Sequence, residues 1–325
     1  MKSVETLNTS TEAQSASDLL ETQKVFIERI FKTLHHPMDL QTLFDRVFPL
    51  ESDLPAMLPQ LSELKKCLDS FRPLDPDQLA NLQSAWDTEY TYESNRIEGN
   101  TLTLQETHLV IAKGMTIDGK SIDEHLEARN HQEAIFYVRE LAQKETVLTE
   151  YILNSIHSIV LSGIRPRDAG VYRRQEVMIT GANHKPPQQY LVPKLMEDIF
   201  IWYNENKDTL HPVLLAADMH EKVVKVHPWI DGNGRTSRLL MNLILLQHGY
   251  PIARVSGENK ARLAYYNALD AAQMGNDNEP FQRLIAEYVR KSLFEYLAMV
   301  SGSQQGEPKG SYFFEQIKPF LPVKE

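Results

Sequence analysis

Cysteine is almost missing: Cys67 is the only one in 325 residues. That excludes an intramolecular disulfide framework and a multi-cysteine zinc site. Glycine is sparse, with 14 residues beside 17 prolines, and Leu, Ala, Glu and Gln are plentiful, which favours helix. Positive charge is not in excess. The 34 Lys and Arg face 44 Asp and Glu, for a net charge of −10 and a pI near 5.6. A strongly basic surface is thereby excluded as the dominant feature, and no nucleic-acid partner is expected. No apolar run is long enough to cross a bilayer, the most apolar being residues 239–246, so no membrane partner is expected. Residues 1–17 are rich in Ser and Thr, with one early Lys and no apolar centre, unlike a secretory signal. A cytoplasmic location is therefore expected. The composition, 42% hydrophobic and 24% charged, is that of a globular chain, and at roughly 150 residues per domain the length suits about two domains.

Residues 1–17 read as a flexible arm. From Asp18 the apolar spacing Leu19, Phe26, Ile30, Leu34 is helical, as are Leu40, Leu43, Phe44, Val47 and then Leu58, Leu61, Leu64, Leu68. Asp75-Pro76-Asp77-Gln78 is a strong helix start, and Leu79, Leu82 and Trp86 continue one face toward a stop at Gly99. Thr103 with Glu106, and Ser121 with Glu124, are capping boxes. The second opens a helix whose core side carries Leu126, Ile135, Val138 and Leu141. Further helices are expected over about 149–161, 193–204, 212–226, 235–248, 258–274 and 280–299. Between them, Val177 to Thr180 and Gln189 to Val192 look extended and predict a small β-hairpin. The fold class is mainly α.

The chemistry concentrates in His227-Pro228-Trp229-Ile230-Asp231-Gly232-Asn233-Gly234-Arg235-Thr236-Ser237-Arg238. A helix ends at a histidine, a short loop offers an acid and two glycines around an asparagine, and a new helix begins near Arg235. Backbone N–H groups of Gly232, Asn233 and Gly234, with the next helix's N-terminus, make an anion site. Arg235 and Arg238 are three apart, so they share a helix face and can hold phosphate oxygens. Asp231 is a hard oxygen ligand suited to Mg²⁺ beside substrate phosphates. His227 can serve as a general base near neutral pH. Each feature alone has an ordinary structural explanation: a histidine at a helix end, glycines in a turn, arginines facing solvent. Their order is what makes the combination specific.

This stretch resembles the signature of the Fic/Doc family, His-Pro-Phe-x-Asp-Gly-Asn-Gly-Arg-x-x-Arg, with Trp229 in place of the usual Phe. Gly170-Val171-Tyr172-Arg173, Trp202, Gly249-Tyr250-Pro251 and Arg262 with Tyr266 resemble family features as well. The resemblance implies a Fic-type helical core over 105–299, a hairpin flap, an N-terminal helical extension over 18–104 and a tail over 300–325. It implies transfer of a nucleoside monophosphate, usually AMP from ATP, to a hydroxyl of a protein target (Ser, Thr or Tyr), the chain itself included. In that reading His227 deprotonates the hydroxyl and Asp231 holds Mg²⁺. Gly232, Asn233 and Gly234 supply the anion hole, Arg235 contacts the leaving phosphates and Arg238 holds the γ-phosphate. Gly234 favours adenylyl transfer over the phosphate transfer of the Doc kinases.

Upstream, Ser94-Asn95-Arg96-Ile97-Glu98-Gly99 resembles the family's inhibitory signature. The implied inhibitory pair joins Glu98 to Arg238, with Ser94 the other conspicuous motif residue; the ordinary alternative is a surface acid. The same resemblance assigns target docking to the flap, through Val177 and Ile179. It leaves Tyr265 and Tyr266 open between core and nucleotide contact, and leaves a homodimer open. Two alternatives stand beside the autoinhibited transferase: an AMP-removing hydrolase that uses Glu98 to position water, and a catalytically weak regulatory Fic scaffold.

Overall fold

The computed structural model describes residues 44–51, 53–74, 76–179, 181–275, 277–302, 309–317 and 319. The expected helix over Leu19, Phe26, Ile30 and Leu34 and the Asp75 cap lie outside them. The described α-helices are α1 Leu54–Asp69, α2 Pro76–Ile97, α3 Leu104–Lys113, α4 Ile122–Gln143 and α5 Glu150–Val160. They continue with α6 Val192–Asn206, α7 Pro212–Val226, α8 Asn233–Gln247, α9 Asn259–Gly275, α10 Glu279–Gly302 and α11 Ser311–Ile317. No described helix is long and apolar enough to cross a membrane.

The chain divides into two compact units, one of residues up to Leu79 together with Arg290 onward, the other Ala80–Val289. In the first, α1 buries Leu61, Leu64, Cys67 and Leu68, and Phe44 stacks on Phe294 with ring centroids 4.8 Å apart. Phe71 meets Phe313 and Phe314 at 5.7 and 6.0 Å. Burial pushes the Cys67 thiol up to about 12, so it is an inert core group.

The second unit carries the signature loop. Both capping boxes form as their spacing predicts. Thr103 and Glu106 exchange side-chain-to-backbone bonds at the start of α3, and Ser121 and Glu124 do so at the start of α4. The Glu124 carboxyl also accepts from the Thr101 hydroxyl, which helps hold its pKa down to about 2. At the centre lies α8, packed on α4, α5 and α7. It is buried nearly all round, polar residues included, as a core helix must be. Pro212 at the first turn of α7 sets its start, and the helix ends at His227.

The flap differs from expectation. No strand occurs among the described residues, and Val177, Ile179 and their neighbours form an irregular loop. Gln189–Leu191 is a 3₁₀ turn leading directly into α6 at Val192. The second arm's own donors go elsewhere: the Leu191 N–H turns back to the Gln188 carbonyl at 3.0 Å, and Pro186 and Pro187 just before it cannot extend a ladder. Side chains tie the loop down instead. Arg173 donates to the His227, Gln175 and Pro187 carbonyls at 2.8, 3.1 and 2.5 Å. The Asp270 carboxylate accepts from the Asn183 N–H and Nδ2 at 2.9 and 2.6 Å, and the Asn183 amide holds its carboxyl below the usual range.

Candidate active site

His227 is the left-handed residue that closes α7, with φ 50° and ψ 59°. Such a backbone costs a non-glycine residue about 1 kcal/mol or more. The neighbours that hold it are visible: its N–H donates to the Val223 carbonyl at 3.0 Å and its own carbonyl accepts from Arg173. Burial, and then the nearby Arg173 charge, push the imidazole down to about 4. The ring is therefore neutral at pH 7.

The loop after it is seated by Trp229, which is fully buried. Its ring stacks on His157 with centroids 4.2 Å apart, and its Nε1 donates to Asn154 Oδ1 at 3.2 Å. Gly170 N–H donates to His157 Nδ1 at 2.9 Å, so Nε2 carries the proton that reaches the Asp231 carbonyl at 2.9 Å. His157 thus fixes loop and tautomer together. Phenylalanine offers no indole N–H. Trp229→Phe is expected to lower stability by about 1 kcal/mol through the lost bond to Asn154, measured by urea unfolding; an unchanged midpoint would mean the bond contributes nothing.

The Asn233 side chain does not face outward. Its Oδ1 accepts from the Trp229 N–H at 3.1 Å and its Nδ2 donates to the Trp229 carbonyl at 2.9 Å, stapling the loop. What points outward is backbone. Gly232 is a left-handed N-cap with no side-chain cap bond, and Thr236 is the first residue to donate back, to the Gly232 carbonyl. The leading N–H groups of α8 are left without intrahelical partners, as an anion site requires. Both glycines sit against neighbouring side chains. A Cβ on Gly232 would meet His157 Nε2 at 3.2 Å, where φ is also +77°, and one on Gly234 would collide with Glu98 Oε1.

The two arginines part company. Arg238 is buried and donates from Nε to Ser94 Oγ at 3.0 Å. From Nη2 it donates to the Ser94 carbonyl at 2.9 Å and to Glu98 Oε1 at 2.7 Å. Its Nη1 lies 3.4 Å from the Tyr265 hydroxyl, which in turn reaches His220 Nε2 at 2.9 Å. Burial opposes the charge, but Glu98 and Tyr265 outweigh it and hold the guanidinium above its usual pKa. Arg235, also buried, turns to Glu127 at 2.8 Å and to Asp231 at 3.3 Å. The Asp231 carboxylate accepts from the Gly232 N–H at 2.6 Å and meets Arg165 at 3.4 Å.

Glu98, Ile179, His227, Gly234 and Arg238 line one cavity of about 610 Å³. Val177 does not line it. Both tyrosines line the cavity: Tyr265 is buried in its wall, and the more exposed Tyr266 donates from its hydroxyl to the Ile97 carbonyl at 2.9 Å, gripping the end of α2. Gln273, in the same wall and 7% exposed, keeps a buried Nε2 without a partner. Sequence reading did not single out Asn154, His157, Glu127, Arg165 or Gln273. Each acts from a distant segment, and no local pattern marks them.

The sequence profile of the Fic/DOC family matches residues 147–245. Protein adenylyltransferase Fic of Drosophila melanogaster is 40% identical over 222 residues, 68% of this chain and 44% of the relative. The Drosophila grimshawi protein of that name is 41% identical over 68% of this chain and 45% of its own length. The chain thus spans less than half the length of these curated relatives. A solved structure of Fic-1 from C. elegans is 30% identical, with a TM-score of 0.67 over 87% of this chain and 83% of that one. A Fic domain containing signaling protein from Bacteroides thetaiotaomicron is 28% identical, with a TM-score of 0.68 over 76% of this chain and 99% of its own. Loop, helices and relatives agree: the chain belongs to the Fic/DOC family.

Proposed function

We propose that the chain is a protein adenylyltransferase that moves AMP from ATP to a Ser, Thr or Tyr hydroxyl of a protein target, restrained by Glu98. The observation that carries this reading is one cavity lined by a neutral histidine, an uncapped helix N-terminus and a buried arginine, with an acid inserted among them. The names of the relatives agree with it. The hydroxyl oxygen attacks the α-phosphorus, His227 takes the hydroxyl proton, the bond to the β-phosphate oxygen breaks and pyrophosphate leaves. The backbone N–H groups of Asn233 and Gly234 cradle phosphate oxygens, joined by that of Gly232 when it turns from Asp231 Oδ1. Arg238 would hold the γ-phosphate once Glu98 withdraws. For Arg235, contact with the leaving phosphates falls to Nε, which is buried without a partner, because its other two nitrogens are engaged. Gln273 Nε2 is a donor free for an acceptor on the base.

Mg²⁺ suits the donor set. Asp231 is a hard carboxylate, 39% exposed, and no group of three or more His, Cys, Asp or Glu gathers for a metal among the described residues. One carboxylate plus nucleotide phosphates is the usual Mg²⁺ arrangement. When bound, the ion would neutralise phosphate charge.

In this reading residues 105–299 form the Fic domain and 18–104 its extension, and target docking falls to the flap, with Ile179 better placed than Val177. A homodimer belongs to the same reading. Exposed apolar side chains are at hand for it in Ile122 and Met115, 77% and 49% exposed. The free, buried Cys67 thiol suits a reducing, cytoplasmic setting. The test is intact-mass analysis of Glu98→Gly incubated with Mg²⁺ and ATP, GTP, UTP or CTP in turn, alone and with lysate proteins. Addition of one adenosine monophosphate is expected. No nucleotide adduct on any protein would overturn the proposal.

A further inference from the structure

The single acid of the signature loop is flanked by two guanidinium groups. Arg235 Nη2 donates to Asp231 Oδ1 at 3.3 Å, and Arg165 Nε lies 3.4 Å from Oδ2. The two are not alike. The Arg165 side chain is 50% exposed, so water screens it. That of Arg235 is 3% exposed, so its charge acts at close range with little screening. A buried cation paired with Asp231 alone would hold that carboxylate for itself and repel a dication brought to it.

Glu127 answers that charge. Its Oε1 accepts from Arg235 Nη1 at 2.8 Å, and its Oε2 accepts from Asn100 Nδ2 at 2.8 Å. Asn100 is itself fixed. Its Nδ2 also reaches the Glu124 carbonyl at 3.1 Å, and its Oδ1 accepts from the Leu102 N–H at 3.0 Å. Both oxygens of Glu127 are therefore committed, and the side chain cannot swing away without breaking two bonds.

Building on the nucleotide reading above, we infer that Glu127 is a positioning residue for the metal carboxylate. It takes up the buried charge of Arg235, so that Asp231 Oδ2 is left for a divalent cation bound with the nucleotide. Groups that orient a metal ligand commonly contribute about 10–100-fold in metal affinity. A structural role alone would not make the metal effect depend on the charge of Arg235.

The test uses the full chain carrying Glu98→Gly and His227→Ala, so that the cavity is open and ATP is not consumed. Calorimetry gives the ATP Kd in EDTA and again in saturating Mg²⁺; their ratio is the metal's contribution. Adding Glu127→Gln is expected to cut that ratio about tenfold, with the metal-free Kd little changed. Glu127→Asp keeps the charge and should retain more of the ratio than Glu127→Gln. Adding Arg235→Gln to Glu127→Gln should weaken ATP in EDTA and in Mg²⁺ alike, because a phosphate contact is lost, but should recover the ratio, since the competing cation is gone. Thermal melts confirm that each variant is folded; if Glu127→Gln is not, the comparison of Glu127→Asp with the double replacement decides. An undiminished Mg²⁺ effect in Glu127→Gln, or no recovery in the double replacement, would overturn the inference. A starting protein that binds ATP neither with nor without Mg²⁺ would instead sink the nucleotide reading itself, and this inference with it.

Discussion

Replacing Glu98 with glycine is expected to raise AMP transfer about ten- to a hundredfold above the unmodified chain. Glu98 Oε1 sits 2.7 Å from Arg238 Nη2; Arg238 is buried while the Glu98 side chain is 31% exposed, so water reaches the pair only from the Glu98 side. The γ-phosphate and the Glu98 carboxylate are both anions seeking that guanidinium, and they exclude each other. A charge-assisted bond of this kind contributes about 1.5–3 kcal/mol, which converts to a competent fraction lowered by about ten- to a hundredfold. Ser94 bonds to Arg238 through its own hydroxyl and carbonyl, so removing Glu98 is expected to free the arginine for phosphate without unseating it. Combining Glu98→Gly with Arg238→Ala should abolish the gain. Transfer of labelled ATP phosphate to the chain or to lysate proteins would be compared across parent, single and double replacements. A Glu98→Gly chain no more active than the parent ends the inhibitory reading. If that variant instead loses an AMP-removing activity, the hydrolase alternative replaces the transferase.

His227→Ala, made in the Glu98→Gly background, should lower single-turnover transfer by about 10²–10⁴-fold. ATP affinity should be nearly unchanged, because the phosphate contacts come from the start of α8 and from Arg238. The pH profile carries a second check. A base must be neutral to accept a proton. With its pKa held near 4, His227 is neutral throughout the physiological range, and protonation removes it only as pH falls through about 4. Transfer by Glu98→Gly should therefore show no loss between pH 8 and about 6 attributable to this residue, in contrast to an unperturbed histidine near 6.5. Arg173, whose charge helps hold the ring neutral, is the place to shift that limb. Equal transfer with and without the imidazole would remove His227 from the chemistry.

Much of this molecule is written locally. Capping boxes at Thr103 and Ser121, Pro212 at a helix start and the pattern of α8 are decided within a few residues, because a helix end is satisfied by side chains three positions away. The loop from His227 to Arg238 was legible for the same reason, since its anion site depends on adjacent backbone N–H groups and the helix that follows. The pairing of Glu98 with Arg238 was legible only through family resemblance, as 140 residues separate them.

Other features were decided by packing. Arg235 and Arg238 share a helix and look equivalent in sequence, yet one meets Glu127 across 108 residues and the other Ser94 across 144. The Asn233 side chain is a staple, because a buried amide must satisfy both its ends, and it leaves only the backbone N–H of this residue for an anion. The flap alternates like a hairpin and forms no ladder, because its second arm closes on itself as a 3₁₀ turn and the bonds of Arg173 and Asp270 compete for its backbone. The sequence by itself determined the helices, their ends and the presence of an anion-binding loop. Which acid each buried arginine meets, and where Glu98 lies, depended on distant segments brought together by packing, and only the tertiary structure could decide them.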